Sequence, residues 1–533
     1  MKKLFSIFIS ITLFIAAVAL IAKKPRELVR TEAFKTLKLC LMTEPLSLDT
    51  RKNTDNITSQ FALFIYEGLT RNTPEGLKFA LAKDVEISPD KTVYLFTLRE
   101  AYFSDGKLIS AQDFETSWKK ILDPNFAAYN PDYLFCIKNA KRAYKGECSL
   151  SEVGIQAIDN TTLRVELECP EEYFLELVST KCFYPMPKAL NEEVSSKNKQ
   201  RKLFVSSGPF VIKKWLRQNK ILLKKNPHYW DHEAVRIQKV ELQIIEDEMT
   251  QLSLFEKKHL DWAGSPLSML PVDSIKRLKQ KMQVCSFPTA SLYFYSFNTQ
   301  KYPLNNANLR KALTLAINRK ELIEHVTQGF ETPALALLPS KMHGLHKNYF
   351  ADGDVARANE YLEKALEELN LTRESFPPLV LSYPNIQTRH ILAQAIQQQW
   401  LKGLGIKVQL DSKEWQVFLS DMNGRNYQIG ALGRGTHHLD PYYYLSLFKE
   451  SKQRSNRTGW EDSRYINLLK TASRGLDMSQ RELMLHEAEG LFMSDMPLAP
   501  IMYPTNFYIK NPKLKGVYLS DVGSIDFKWA YFE

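Results

Sequence analysis

Around residue 400 the chain changes period without a linker. A helix predicted over Thr388–Lys402 stops at Gly403 and Gly405 and runs straight into the alternating strand Ile406-Lys-Val-Gln-Leu410. A helix that hands over to a strand across a glycine turn packs back on the sheet it feeds, so this segment calls for mixed α/β architecture. The same grammar appears upstream. Ile87-Ser-Pro-Asp-Lys91 reads as a turn, Thr92-Val-Tyr-Leu-Phe-Thr-Leu98 as a strand, and Phe103-Ser-Asp-Gly-Lys107 as a second turn. Ser110-Ala-Gln-Asp113 then forms a capping box for a helix through Trp118 that stops before Pro124. Two further helices follow from apolar stripes. One, on Leu309, Ala312, Leu313, Ala316 and Ile317, is predicted to continue until Gly329, and the other carries Val355, Ala358, Leu362, Leu366 and Leu369.

At 533 residues the chain exceeds one ordinary core, which calls for roughly two to four structural units and admits a large cleft between them. It has no internal repeat, low-complexity tract or long linker, so those units are interleaved or tightly packed. Apolar residues at 44% and charged residues at 25% exclude disorder. The net charge of +11 comes from 71 basic and 60 acidic residues spread along the chain, which reads as a basic solvated surface and gives nucleic acid no support. A bias towards acidic ligands or an anionic membrane is the lesser reading.

Lys2 and Lys3 precede an uncharged apolar run from Leu4 to Ala22, closed by Lys23 and Lys24, which is the pattern of an export signal. Ala17-Val18-Ala19 offers a cleavage site. The 19-residue run is also close to the ~20 residues that span a bilayer, so an uncleaved anchor is the alternative. The first cysteine is Cys40, too far on for a lipidated N-terminus. Six cysteines (Cys40, Cys136, Cys148, Cys169, Cys182 and Cys285) are too few for a disulfide scaffold and contain no CxxC pair. One or two bridges between 136 and 182 are admissible in an oxidising compartment, with no connectivity implied.

Phe103-Ser-Asp-Gly-Lys107, Ser110-Ala-Gln-Asp-Phe-Glu-Thr-Ser-Trp118 and Leu122-Asp-Pro124 resemble the signature region of the extracellular solute-binding proteins of the peptide/nickel family, the oligopeptide-binding proteins in particular. Further matches follow in family order from about residue 36 to the end. They are Tyr66-Glu-Gly-Leu69, Gly208-Pro-Phe210 with Lys225-Asn-Pro-His-Tyr-Trp-Asp231, Phe297-Asn-Thr299, Leu309-Arg-Lys-Ala-Leu313, Ala316-Ile-Asn-Arg319, Ala395-Ile-Gln-Gln-Gln399 and Leu404-Gly-Ile-Lys407. Arg99 to Phe103 is a residue shorter than the usual family stretch.

The resemblance implies a two-lobed α/β Venus flytrap with an extra inserted domain. It places the signal or anchor at 1–22, lobe I at 36–70, 204–297 and 504–533, the inserted domain at 71–203 and lobe II at 298–503, with hinges near 297 and 503. It implies a monomeric, periplasmic receptor, exported by its N-terminal signal, that captures short peptides and delivers them to an inner-membrane ABC importer permease. Murein peptides or a nickel-type ligand are alternatives within the fold, and no cofactor or nucleic acid is expected.

The strand Tyr427-Gln-Ile-Gly-Ala-Leu432 leads into Gly433-Arg-Gly-Thr-His-His438, and Asp440-Pro441 caps a new helix. Glycines there let a ligand backbone approach closely. By resemblance this segment lines the cleft and pairs with a peptide as an added strand, holding any sequence. Expected ligand contacts are Gly433, Arg434, Gly435, Thr436, His437 and Asp440, with Trp415 as a pocket wall or, equally, a core residue. Glu44, Tyr293, Asn298, Tyr503 and Asn506 join them near the first loop and the hinges, each with packing or turn capping as its plainer role. Oligopeptide-binding relatives usually carry an aspartate for the ligand ammonium where this chain has His437, and a tryptophan where it has Arg434. The free amino end therefore matters less here, or Asp440 or Glu44 has taken over the pairing.

Enzyme motifs are missing. There is no GxSxG, GxxxxGK[ST] or GxGxxG, and Gly430-Ala-Leu-Gly433-Arg-Gly435 has the wrong spacing. His486-Glu487 lacks a second histidine four residues on, and Asp352 with Asp354 resembles a helix cap more than a calcium loop. His437 and His438, adjacent on an extended segment, point to opposite faces and do not make a metal site. An exported hydrolase without a recognised motif is the different-class alternative.

Overall fold

The computed structural model describes residues 36–52, 55–190, 204–327, 331–339, 341–342, 347–436, 439–473 and 477–533. The N-terminal signal, Gly329, His437 and His438 lie outside the described residues.

Three large apolar cores divide the described residues, with a small fourth of Leu252, Ala263, Leu270, Ile275, Leu278 and Ile509 beside them. The first unites Leu37–Tyr66 with Tyr184–Leu267 and Leu514–Ala530, three distant stretches of sequence. Its sheet places Thr36–Leu41 parallel to Lys239–Ile244, followed by Lys220–Lys225 and Phe210–Leu216 in antiparallel order. A parallel pair needs a crossover, and the long excursion between these two strands supplies it.

Within that excursion sits the second core, from Leu69 to Phe183. Its antiparallel sheet runs Ala82–Ile87, Val93–Leu98, Thr162–Glu166, Ile155–Ala157. The helix Ala111–Ile121 closes it, started by the reciprocal Ser110–Asp113 capping box read from the sequence. It buries Phe114, Trp118 and Ile121, and the Trp118 indole donates to the Phe183 carbonyl at 2.9 Å. All six cysteines are free thiols, so no bridge forms between 136 and 182. The Cys136 and Cys148 thiols turn to the carbonyls of Tyr133 and Asn139, both at 3.7 Å, and Cys182 is buried in the apolar core.

The third core spans Ala290–Tyr503. Its six-stranded sheet has the order Thr332–Pro333, Leu498–Tyr503, Ser291–Phe297, Ile429–Gly435, Leu379–Pro384, Val408–Lys413. The helix before the glycine turn spans Gln387–Leu404, ends on Gly405 with φ +72°, and delivers the chain to the strand Val408–Lys413. The helix begun at Asn308 does not run through. It breaks into Ala307–Leu315 and Arg319–His325, because Asn318 caps the second piece by accepting from Glu321 N at 3.0 Å. Arg319 is then drawn wholly inside, donating to the carbonyls of Thr314, Ile317 and Pro500 and pairing with Asp352 at 3.2 Å.

The molecule is thus two-lobed with an inserted domain. A small sheet of Trp262–Gly264, Thr505–Lys510 and Cys285–Pro288 lies on the lobe I side of both crossings. The chain passes into the lobe II sheet between Pro288 and Ser291 and returns at Pro504. Ser291–Phe297 thus lies within the six-stranded sheet of the third core. Ser291–Phe297 is buried from Leu292 onwards on both faces, paired with Ile429–Gly435 on one side and Leu498–Tyr503 on the other, the mark of a central strand.

Candidate functional site

The strand Ile429–Gly435 pairs along its whole length with Ser291–Phe297. On its other side the pairing with Leu379–Pro384 covers Ile429 and Gly430 alone. Gln428 O accepts from Asn298 N at 2.9 Å and Thr436 N donates to Ala290 O at 3.2 Å. Backbone groups alternate sides along a strand, so even-numbered residues bond towards Ser291–Phe297 and the odd-numbered Gly433 and Gly435 point the other way. Both glycines are exposed there, beyond the end of the pairing with Leu379–Pro384. A Cβ on Gly433 would meet nothing nearer than Tyr293 Cδ2 at 3.8 Å, and on Gly435 nothing nearer than Ser291 Cβ at 3.7 Å. The result is an open strand edge, paved with glycine, at the carboxyl ends of three sheet strands, where α/β sheets bind ligands.

Around this edge the expected residues separate. Tyr293 stands opposite Gly433 with its ring under the Arg389 guanidinium, 4.1 Å from the centroid. Trp415 opens a helix after Val408–Lys413 and is 48% exposed, so it is no core residue. Arg434 is half-buried. Thr436 is buried and fastens the strand end to Ala290 at the crossing.

Other expected residues are committed elsewhere. Asn298 is buried at the far end of its strand, donating to the carbonyls of Arg425 and Tyr427 at 2.9 and 3.0 Å. The Tyr503 hydroxyl lies 3.0 and 3.1 Å from the Ala336 and Leu338 carbonyls inside lobe II. Asn506 pairs with Phe287 in the small sheet. Neither carboxylate named as a replacement anchor is free. Asp440 caps its helix through Tyr442 N at 2.8 Å and holds Arg481 through both oxygens at 2.9 Å, while Glu44 accepts from the Trp215 indole and from Arg217.

The inserted domain, which sequence reasoning left out, packs against the helix Pro441–Ser446 that follows this edge. Tyr133 stacks on Tyr443 with centroids 6.2 Å apart, and Tyr173 reaches both Tyr442 and Tyr443 at 6.5 and 6.2 Å. The tyrosine-rich run 442–444, with Tyr129 and Tyr133 one helical turn apart, was the available signal, since tyrosines that are apolar on one face and polar at the tip favour interfaces. Carboxylates collect at the same contact. Burial pushes Glu171 up to about 7 against a hydrogen bond from Tyr173, and burial with the nearby Asp440 charge pushes Glu176 up to about 7. Asp132, in the turn before Tyr133, is raised by burial as well, partly offset by Arg434 and Arg454. Among the described residues no group of three histidine, cysteine or acidic side chains is placed to hold a metal ion.

An exposed backbone edge in one lobe, and a domain inserted in the other that packs against the helix after that edge, define a two-lobed solute-binding protein. The chain matches the model of the bacterial extracellular solute-binding proteins, family 5 (Middle), over residues 76–456. It is 38% identical over 509 residues to the oligopeptide-binding protein OppA of Bacillus subtilis, covering 93% of each chain. It is 31% identical over 511 residues to the dipeptide-binding protein DppE of the same organism, covering 94% of this chain and 92% of the other. The crystal structure of the periplasmic oligopeptide-binding protein OppAIV from Borrelia burgdorferi superposes with a TM-score of 0.81 at 29% identity, covering 93% of this chain and 100% of that one. The protein belongs to the family 5 extracellular solute-binding proteins.

Proposed function

We propose that this chain is the substrate-binding receptor of an ABC importer and that it captures short peptides by adding them as a strand to the edge at Gly433 and Gly435. That edge carries the reading. Main-chain hydrogen bonds to glycine hold a peptide without regard to its side chains. The names of the Bacillus and Borrelia relatives point to the same ligand class. Lobe I then comprises 36–70, 204–288 and 504–533, the inserted domain 71–203, and lobe II 291–503. The two crossings at Thr289–Ala290 and Pro504 act as the hinge. A peptide touching both lobes favours closure by its differential affinity for the closed form, and a permease in the membrane reads that closure. The receptor works outside the inner membrane as a monomer, delivered there by the segment 1–22, and carries out no chemistry on its ligand.

Native mass spectrometry of the purified chain tests this. Copurified peptides of mixed sequence are the expected result. A chain that carries no peptide and gains no thermal stability from a peptide library refutes the proposal.

A further inference from the structure

The sheet of the first core buries Leu37, Leu39, Ile221, Leu223, Val240 and Leu242 on one face. Alternate residues stand on the other, where Lys38, Lys224 and Lys239 are exposed and Lys214, opposite Leu222, joins them. Lysine on an outer strand needs no ligand to explain it, because it keeps an open edge from pairing with another chain. Lys38 and Lys214, the latter beside a bulge, sit on the two edge strands. That reason does not reach Lys224 and Lys239, which belong to the two central strands and stand directly opposite each other. Lys225 N donates to the Gln238 carbonyl at 2.9 Å, so the next pair along, Lys224 with Lys239, is of the closely spaced kind. Like charges so placed repel.

The carboxylates nearby do not cancel them. Among the described residues Glu241 pairs with Lys220 at 3.2 Å, whereas Lys38, Lys214, Lys224 and Lys239 enter no ion pair. Asp261 accepts from the backbone N–H of Lys38 at 2.9 Å and from the Asn511 amide at 2.8 Å. The like-charge pair also lies in the row Thr36, Lys239, Lys224, at the end of the sheet where the described chain begins. The export segment read at 1–22 is followed by residues 23–35, which reach at most about 45 Å, so a bilayer that holds this segment lies within that distance of the row.

An external anion offsets the repulsion that the fold leaves standing. Spread, hydrated ammonium groups on flexible stems suit a field of phosphate headgroups better than one small ligand. We propose that Lys38, Lys214, Lys224 and Lys239 form a docking face by which lobe I rests on anionic phospholipid. The inference does not depend on what the receptor carries in its cleft.

Lysine footprinting on the full chain tests it. The chain is acetylated briefly on vesicles of phosphatidylglycerol or of phosphatidylcholine, and each lysine is quantified by mass spectrometry. The ratio between the two vesicle types reads the headgroup charge whether or not the export segment enters the bilayer. On phosphatidylglycerol the four lysines react about fivefold or more slowly, the worth of one lysine at an anionic surface. Lys364 and Lys402, exposed on lobe II, are unchanged. High salt removes the protection. In Lys224→Gln/Lys239→Gln the protection of Lys38 and Lys214 falls towards none, and the variant melts no lower than the parent because a repulsion has gone. Equal reactivity on both vesicles, the same protection at Lys364 and Lys402, or equal protection by soluble polyphosphate overturns the inference. So does a double variant that keeps full protection or melts several degrees below the parent.

Discussion

Replacing Gly433 by proline separates the ligand edge from the fold. Its N–H points away from Ser291–Phe297, so the ladder that holds the strand in lobe II, made by residues of even number, does not use it. Its φ is not in the left-handed region, and proline is tolerated on a strand edge whose N–H is free. The variant therefore melts within a few degrees of the parent. Binding behaves differently. The peptide carbonyl that met Gly433 N–H is left in a closed cleft without a donor, which costs about 1–3 kcal/mol, or roughly 5- to 150-fold in affinity. Gly433→Ala keeps the N–H and places its Cβ at ordinary contact distance from Tyr293, so it costs less than proline. Calorimetry with a copurified peptide, beside thermal melts of each variant, reads both effects. A Gly433→Pro protein that melts like the parent and binds within twofold of it would show that no strand is added at this edge.

The pH dependence has a definite sign. Glu171 and Glu176 are raised from 4.5 to about 7 where the inserted domain meets lobe II, so this contact holds their protons more tightly than its separated faces would. Affinity for an uncharged blocked peptide accordingly strengthens as pH falls through 7 and levels off near 4.5, and a flat profile, or an unchanged one in Glu171→Gln/Glu176→Gln, contradicts this. N-acetylation of a bound peptide costs less than about tenfold, since Asp440 and Glu44 are already paired, and a larger loss in calorimetry would mean that another carboxylate holds the ammonium. Asp440→Ala removes a helix cap and strands Arg481, whose side chain is 11% exposed, so the unliganded chain loses about 2–4 kcal/mol in denaturant titration, and an unchanged midpoint would refute that role.

What the sequence revealed of this architecture was local. The Ser110–Asp113 box, the Asp440–Pro441 cap and the stop at Gly405 each follow from chemistry within a few residues, and each stands as read. The break at Asn318 was hidden because the apolar stripe continues through it, and the Asn318 cap with the burial of Arg319 against Pro500 shows in the fold alone. The place of Ser291–Phe297 in the third core's sheet was hidden for a related reason: a strand buried on both faces has no alternation to read. Gly433 and Gly435 were visible as glycines, but their open edge depends on where Leu379–Pro384 stops pairing. The inserted-domain contact was the least legible part. Tyr133 and Tyr443 are far apart in sequence, and nothing local declares that they meet.

The hydrogen bond from Thr436 to Ala290 joins the residue after Gly435 to the segment proposed as the first hinge. A guest held along Gly433 and Gly435 as proposed would therefore sit almost on the axle of the jaw. Force applied there has a short lever arm and does little to swing the lobes. Leverage belongs to whatever the guest extends away from the axle, towards Tyr443 and the inserted domain. Two peptides gripped equally well along the backbone would then shut the jaw to different extents, and the transporter would meet them as different signals.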